Sequence, residues 1–431
     1  MRDSRLILLA LLVCVAVPVR GDDLTPVQTL GKTLFYDGSL SLNGDQPCVT
    51  CHSPTTGYSG PDGVVNGSGA VYEGSVPGRF GNRRPPTAAY AAQAPVFHHT
   101  FEDGEVLFVG GAFLDGRATG HLVGNAAADQ AEGPFLNPLE MALPHAACVV
   151  QRVCNPESPD LYPVKLTDIW GGDICAISFP EGLAAQCADA NAEITIEDED
   201  TADRISVAFT AIAQSLAAYE MSPEMARYSS KYDQYLDGEA VLTAQEDLGR
   251  ELFEGKALCS QCHVTGRGPN GEPPLLTDYT YDNLGVPRNP DLPYYAMAAV
   301  NPDGTDYIDR GLGDFLRKDP IYDVLAGGQD GKFKVPTLRN VSAGATPEAP
   351  RSYMHNGYFK TLEGVVKFYN LRDVWPRCAS DLVPEADALA QHCWPGPEVA
   401  ANVNGDELGD LKLTEDEELA LVAFMKTFTD Q

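Results

Sequence analysis

Basic side chains are scarce in this sequence: 30 Lys and Arg stand against 61 Asp and Glu, a formal net charge of -31 over 431 residues. Such an excess of anions repels a phosphate backbone, which excludes nucleic acid as a partner, whereas a basic patch on another protein would be attracted. Long apolar runs are missing beyond the N-terminal stretch, so the mature chain is not expected to span a membrane. Strand signals are few, while 41 Gly and 32 Pro make the chain loop-rich. Histidine occurs only eight times, with none between Ser53 and Gln93, and tryptophan three times, at Trp170, Trp375 and Trp394.

The N-terminus reads as an export signal, residues 1–21. Arg2 and Arg5 supply the positive end, Leu6 to Val17 the apolar region and Val19-Arg20-Gly21 a cleavage site. Export to a periplasm follows, and with it an oxidising compartment. Of the 11 cysteines, Cys14 leaves with the signal and four belong to the two Cys-x-x-Cys-His motifs described next. The remaining Cys148, Cys154, Cys175, Cys187, Cys378 and Cys393 form an even set, expected as disulfides. Cys378 with Cys393 is the best local pair; the pairing of the other four is open, and a further metal site is the competing reading.

Cys48-Val49-Thr50-Cys51-His52 and Cys259-Ser260-Gln261-Cys262-His263 match the c-type haem attachment pattern. Two thiols three residues apart reach the two vinyl groups of one macrocycle, and the next residue projects an imidazole onto the iron. A redox dithiol lacks its βαβ context here, and half a zinc site lacks a second Cys/His pair nearby. The surroundings repeat as well: Leu30-Gly31-Lys32-Thr33-Leu34-Phe35 precedes the first motif and Leu248-Gly249-Arg250-Glu251-Leu252-Phe253 the second. Each reads as an amphipathic helix leading into a haem.

Helical spacing recurs from Asp200 to Tyr219 and again over Thr361 to Tyr369, and Thr414-Glu-Asp-Glu opens a helix that runs to Phe428. Residues 53–100 read as long loops, and 145–195 as a cysteine-bearing insertion. The expected division is an N-terminal domain over 22–225, which contains that insertion, and a C-terminal domain over 226–431.

The ordered landmarks are Leu-Gly-Lys-x-Leu-Phe, Arg83 to Thr87, Leu114-Asp-Gly-Arg117, Gln130, Gly133-Pro134, Leu139-Glu140-Met141, the second haem motif, Lys334-Val-Pro-Thr-Leu-Arg-Asn-Val341 and Met354-His355-Asn356-Gly357. In this order the chain resembles the bacterial dihaem cytochrome c peroxidase and MauG family over nearly all its mature length. The resemblance implies a mainly α fold of two cytochrome c-type domains, each wrapped around a covalent haem c. It implies that His52 holds the peroxide-reactive iron and that Glu140 is the distal carboxylate, with Gln130 and Pro134 beside it. A carboxylate next to an open iron can carry a proton from one peroxide oxygen to the other.

Two departures, a missing histidine and a replaced methionine, select the MauG-like branch within the family, and two others weaken the transfer of its interhaem and calcium sites. The loop after the first haem has no histidine to cap the reactive iron; His98 or His99 is the alternative sixth ligand. Where ordinary members place a methionine ligand for the second haem, this chain has Tyr369, a hard anionic donor that favours oxidised iron. The family's interhaem tryptophan is replaced by Leu114, with Phe113 or Phe108 as substitutes, and its calcium asparagine by Arg84, which leaves calcium as an expectation near Asn82. The insertion and length are closer to MbnH-like members. The implied activity is reaction with hydrogen peroxide to form a high-valent two-haem oxidant that oxidises side chains, tryptophan foremost, of a partner protein. The alternatives are a peroxidase drawing electrons from a small redox protein, and a plain electron carrier.

Overall fold

The computed structural model describes residues 23–102, 104–155, 162–344, 346 and 349–431. The expected export signal and Cys14 lie outside these residues. Among them, no helix is long and apolar enough to cross a membrane.

Two helix crossings organise the molecule, and they are built alike. Helix α1 (Pro26–Phe35) starts at a Thr25/Gln28 capping box with Pro26 in its first turn. It carries the chain to the first Cys-x-x-Cys-His and packs across α3 (Glu199–Glu220), the long helix that the periodicity from Asp200 predicts. Helix α4 (Ala244–Glu254), capped by Thr243 and Glu246, crosses α6 (Glu415–Lys426), capped by Thr414 and Glu417. Glycine makes both crossings possible: a Cβ on Gly31 would collide with the Ser215 carbonyl, and one on Gly249 with the Ala420 carbonyl. The aromatic pairs repeat too. Phe35 meets Tyr219 at 5.5 Å edge-on, and Phe253 meets Phe424 at 5.5 Å edge-on. Ser215-Leu-Ala-Ala-Tyr-Glu220 therefore corresponds to Ala420-Leu-Val-Ala-Phe-Met425.

Two large clusters hold most of the buried apolar side chains, and a smaller one packs Phe97 and Phe108 with Tyr281, Leu312, Leu316 and Ala326. Of the two large cores, one runs from Leu30 to Ala226, and the other from Tyr232 to Phe428. A buried tie joins them: Arg339 pairs bidentately with Asp233 at 2.8 Å and lies over the rings of Tyr90 and Tyr228 at 4.9 and 4.7 Å. The insertion is not a separate body. Its helices Ala146–Val153 and Tyr162–Trp170 put Val149, Val150, Tyr162 and Leu166 into the first core. The disulfides Cys148–Cys187 and Cys154–Cys175 hold it, and Cys378–Cys393 pairs as the spacing suggests.

Four short strands are present among the described residues. Strands β1 (His98–Glu102) and β2 (Glu105–Val109) form an antiparallel hairpin in a stretch that reads largely as loop. Its signal in the sequence is Asp103-Gly104, flanked by Glu102 and Glu105 and, one step further out, by Phe101 and Val106. Strands β3 (Tyr281–Asp282) and β4 (Phe333–Lys334) pair between the second motif and the Lys334 landmark.

Candidate active site

Each Cys-x-x-Cys-His motif folds as a single 3₁₀ turn followed by the histidine, whose N–H returns to the first cysteine's carbonyl at 2.9 Å in both cases. Cys48, Cys51, Cys259 and Cys262 are the unpaired cysteines among the described residues. Burial pushes all four thiols up to about 12. Each pair is followed directly by its histidine and has no second Cys/His pair beside it among the described residues, which suits thioether attachment of a haem better than a four-ligand zinc site. His52 Nδ1 faces the Tyr58 carbonyl at 3.1 Å, and His263 Nδ1 faces the Leu276 carbonyl at 2.8 Å. A ring nitrogen facing a carbonyl must donate, so Nε2 keeps its lone pair for a metal. Burial lowers both imidazoles, His263 to about 4, which keeps them neutral. Both motifs open on one cavity of about 730 Å³. The donor set and the cavity fit two haems.

The first side of that cavity holds Glu140, Gln130 and Pro134. Gln130 and Pro134 are one turn apart on α2 (Ala126–Leu136), where Pro134 lacks the N–H that would bond to the Gln130 carbonyl. Glu140 follows α2 in a tight loop: its N–H reaches the Asn137 carbonyl at 3.0 Å, and its carbonyl accepts from Ser75 at 2.7 Å. Its carboxyl is half-buried, with its open face on the cavity. Burial raises its pKa, against the opposing pull of Arg117 and a hydrogen bond with the Asn137 side chain. Arg117 is fixed by Asp115 at 2.7 Å and stacks over Phe113 at 3.7 Å. Asp115 is shared with Arg83, which also binds Asp309 at 2.6 Å.

The second side holds Tyr369, on α5 (Leu362–Leu371), a helix capped by Thr361. Burial, with Cys259 and Cys262 nearby, pushes its phenol far above the ordinary value; a phenolate there requires a cation on the oxygen. The two ends of the cavity thus differ: Glu140 and Glu220 stand by the first motif, and Tyr369, with Asp282 and Glu407, by the second.

A family model described as di-haem cytochrome c peroxidase matches residues 26–241. MauG, the methylamine utilization protein of Paracoccus denitrificans, is 32% identical over 403 residues, covering 93% of this chain and 88% of its own. The chain belongs to the di-haem cytochrome c peroxidase family. It is accordingly a peroxidase-type oxidoreductase whose family carries two haems. The diheme peroxidase BthA of Burkholderia thailandensis superposes with a TM-score of 0.68 at 26% identity, over 95% of this chain and 87% of that one. A MauG-like protein associated with microbial copper homeostasis shares the fold alone, with a TM-score of 0.58 at 23% identity over 95% and 91% of the two chains.

Several expectations for this family member need correction. His98 and His99 lie on exposed β1, with Nδ1 atoms turned to the Val96 carbonyl and the Tyr322 hydroxyl, and neither lines the cavity. Phe113 and Leu114 line it; Phe108 is packed on Phe97 instead. At Asn82, where calcium is expected, the side chain is engaged through its nitrogen. Its amide donates to Tyr307 at 2.7 Å and to Asp309 at 3.3 Å, and no cluster of three or more His, Cys, Asp or Glu able to hold a metal exists among the described residues. Arg84 puts a buried guanidinium there instead, donating to the Met354 carbonyl at 2.7 Å, and burial lowers its pKa to about 10.

Sequence reasoning missed Glu220. This buried carboxyl at the end of α3 lines the cavity near Cys48, and burial pushes it up to about 8. Its counterpart in the repeat is Met425, which also lines the cavity. The signal was available in the alignment of the two closing helices. It became readable only once the glycine crossings set the register.

Proposed function

We propose that this is a MauG-like dihaem enzyme that uses hydrogen peroxide to oxidise side chains of a partner protein. Its two cytochrome domains would be 22–225 and 226–431, and export by residues 1–21 would place it in a periplasm. The observation that supports the reading is the asymmetry of the shared cavity: Glu140 lies near Cys51 of the first motif, and Tyr369 near Cys259 and Cys262 of the second. Cys48, Cys51 and His52 would hold one haem c, and Cys259, Cys262, His263 and Tyr369 the other. Bound there, the haems would supply iron that gives electrons to peroxide and takes electrons back from the partner. Glu140 takes the proton from one peroxide oxygen and returns it to the other, which leaves as water. Arg117, through its charge, tempers the rise in the pKa of Glu140. Gln130 and Pro134 shape the face on which peroxide sits. Tyr369 closes the second site to peroxide, so that end stores oxidising equivalents and does not bind substrate. The 32% identity to MauG supports this branch.

Ferric EPR of the holoprotein tests the asymmetry. One high-spin five-coordinate and one low-spin centre are expected, with the low-spin signature lost in Tyr369→Phe; two low-spin centres, or an unchanged Tyr369→Phe spectrum, would contradict it. The family description itself favours a second reading, peroxide reduction with electrons from a small redox protein. Mass analysis of the partner separates the two: oxygenated tryptophan supports the first, and an oxidised but covalently unaltered donor supports the second.

A further inference from the structure

Two of the three tryptophans occupy one place. Trp375, just beyond α5, stacks on Trp394 with ring centroids 5.4 Å apart and planes 24° from parallel. Trp394 is fully buried and lies edge-on to Phe368 at 5.2 Å. Phe368 is the residue before Tyr369, which turns the opposite way into the haem cavity. Trp375 is half-buried beside exposed Val374, with the exposed His392 imidazole edge-on at 5.2 Å. The Cys378–Cys393 disulfide holds the two segments together, with Cys378 N–H donating to the Trp394 carbonyl at 3.0 Å and Trp394 N–H to the Pro376 carbonyl at 3.1 Å.

Packing alone is a poor account of Trp394. Among the described residues its indole N–H is buried without a hydrogen-bond partner, a cost of about 1–3 kcal/mol that Phe or Leu would avoid. Indole is also among the side chains that lose an electron most easily. A stacked pair reaching from behind Phe368, the neighbour of Tyr369, to the surface replaces one long electron step by shorter ones.

We propose that Trp394 and Trp375 pass oxidising equivalents, one at a time, from the site beside Tyr369 to the surface at Trp375, where an external side chain gives up its electron. This rests on the peroxide-driven reading above. Hydrogen peroxide takes two electrons and two protons to become two waters. Each electron moves from the donor to Trp375, then to Trp394, then to the second site. Trp375 releases its indole proton to solvent on oxidation and regains it on reduction, so its N–H bond breaks and re-forms while no other bond in the pair changes. Without a donor, two one-electron losses, addition of water and loss of two protons convert Trp375 to hydroxytryptophan.

The test treats the holoprotein alone with limiting hydrogen peroxide, followed by peptide mass mapping and freeze-quench EPR. Oxygen is expected on Trp375 and not on Trp170, which lies in the other half. Trp394→Phe should lower Trp375 oxidation by an order of magnitude or more while leaving initial peroxide consumption unchanged. The ferric spectrum reports whether that variant folds. Independently, Trp375→Phe should lose an indole radical signal seen in the wild type. Equal Trp375 oxidation in Trp394→Phe, preferential oxidation of Trp170, or an unchanged radical in Trp375→Phe would overturn the route alone. A wild type that consumes no peroxide would overturn the peroxide reading and the route with it.

Discussion

Glu140 and Glu220 both line the cavity near the first motif, yet burial treats them differently. Glu140 has Arg117 and Asn137 to support its ionised form. Glu220 has only desolvation, which raises it to about 8. Glu140→Gln keeps the shape and removes the proton carrier, so the rate of reaction with peroxide should fall by about 10²–10⁴-fold in stopped-flow measurements, with both haems retained. Glu220 has the opposite signature. A carboxyl raised in the folded state is protonated there while already ionised in the unfolded chain, so it costs stability progressively as pH rises toward 8. Glu220→Met, which copies Met425, should therefore raise Tm, with a gain that grows by about 1.4 kcal/mol per pH unit from about pH 5 to about pH 8. A gain independent of pH would show that Glu220 is ionised in the fold.

The elements that bring these residues together are the paired crossings, and each depends on one glycine. Gly→Ala inside an exposed helix ordinarily stabilises by about 1 kcal/mol. At Gly249 the new methyl would meet the Ala420 carbonyl, which is backbone and cannot swing away. Gly249→Ala should destabilise the second core by about 1–3 kcal/mol, seen as a lower Tm and a disturbed low-spin spectrum while the first haem keeps its own. The opposite sign would mean that α4 and α6 can separate at no cost. The hairpin β1–β2 shows how short strands escape a periodicity reading: two five-residue strands give few alternations, and most of their side chains remain exposed.

At the scale of the whole molecule, the two cores are joined by Arg339, Asp233 and the Tyr90 and Tyr228 rings. Arg339→Leu would strand a buried carboxylate, Asp233, so a loss of about 3–5 kcal/mol is expected in chemical denaturation; a loss under 1 kcal/mol would place the tie in solvent. The net charge of -31 acts on encounter, not on the fold. With a basic donor protein, the oxidation rate should fall as ionic strength rises from about 10 mM to about 150 mM, because the Debye length shrinks.

The sequence by itself determined the two attachment motifs, the helices leading into them, the closing helix and the family, because all of these are local patterns or landmarks in linear order. It also singled out Glu140 and Tyr369 through that order. Only the tertiary structure decided that both motifs open on one cavity, that the disulfides of the insertion pair as Cys148–Cys187 and Cys154–Cys175, and that His98 and His99 turn away from it. Only there do Glu220 face the first haem site and Trp375 stack on Trp394. Contacts of this kind join residues far apart in the chain, and their register is set by how closely two helices approach at a glycine, which no local pattern encodes.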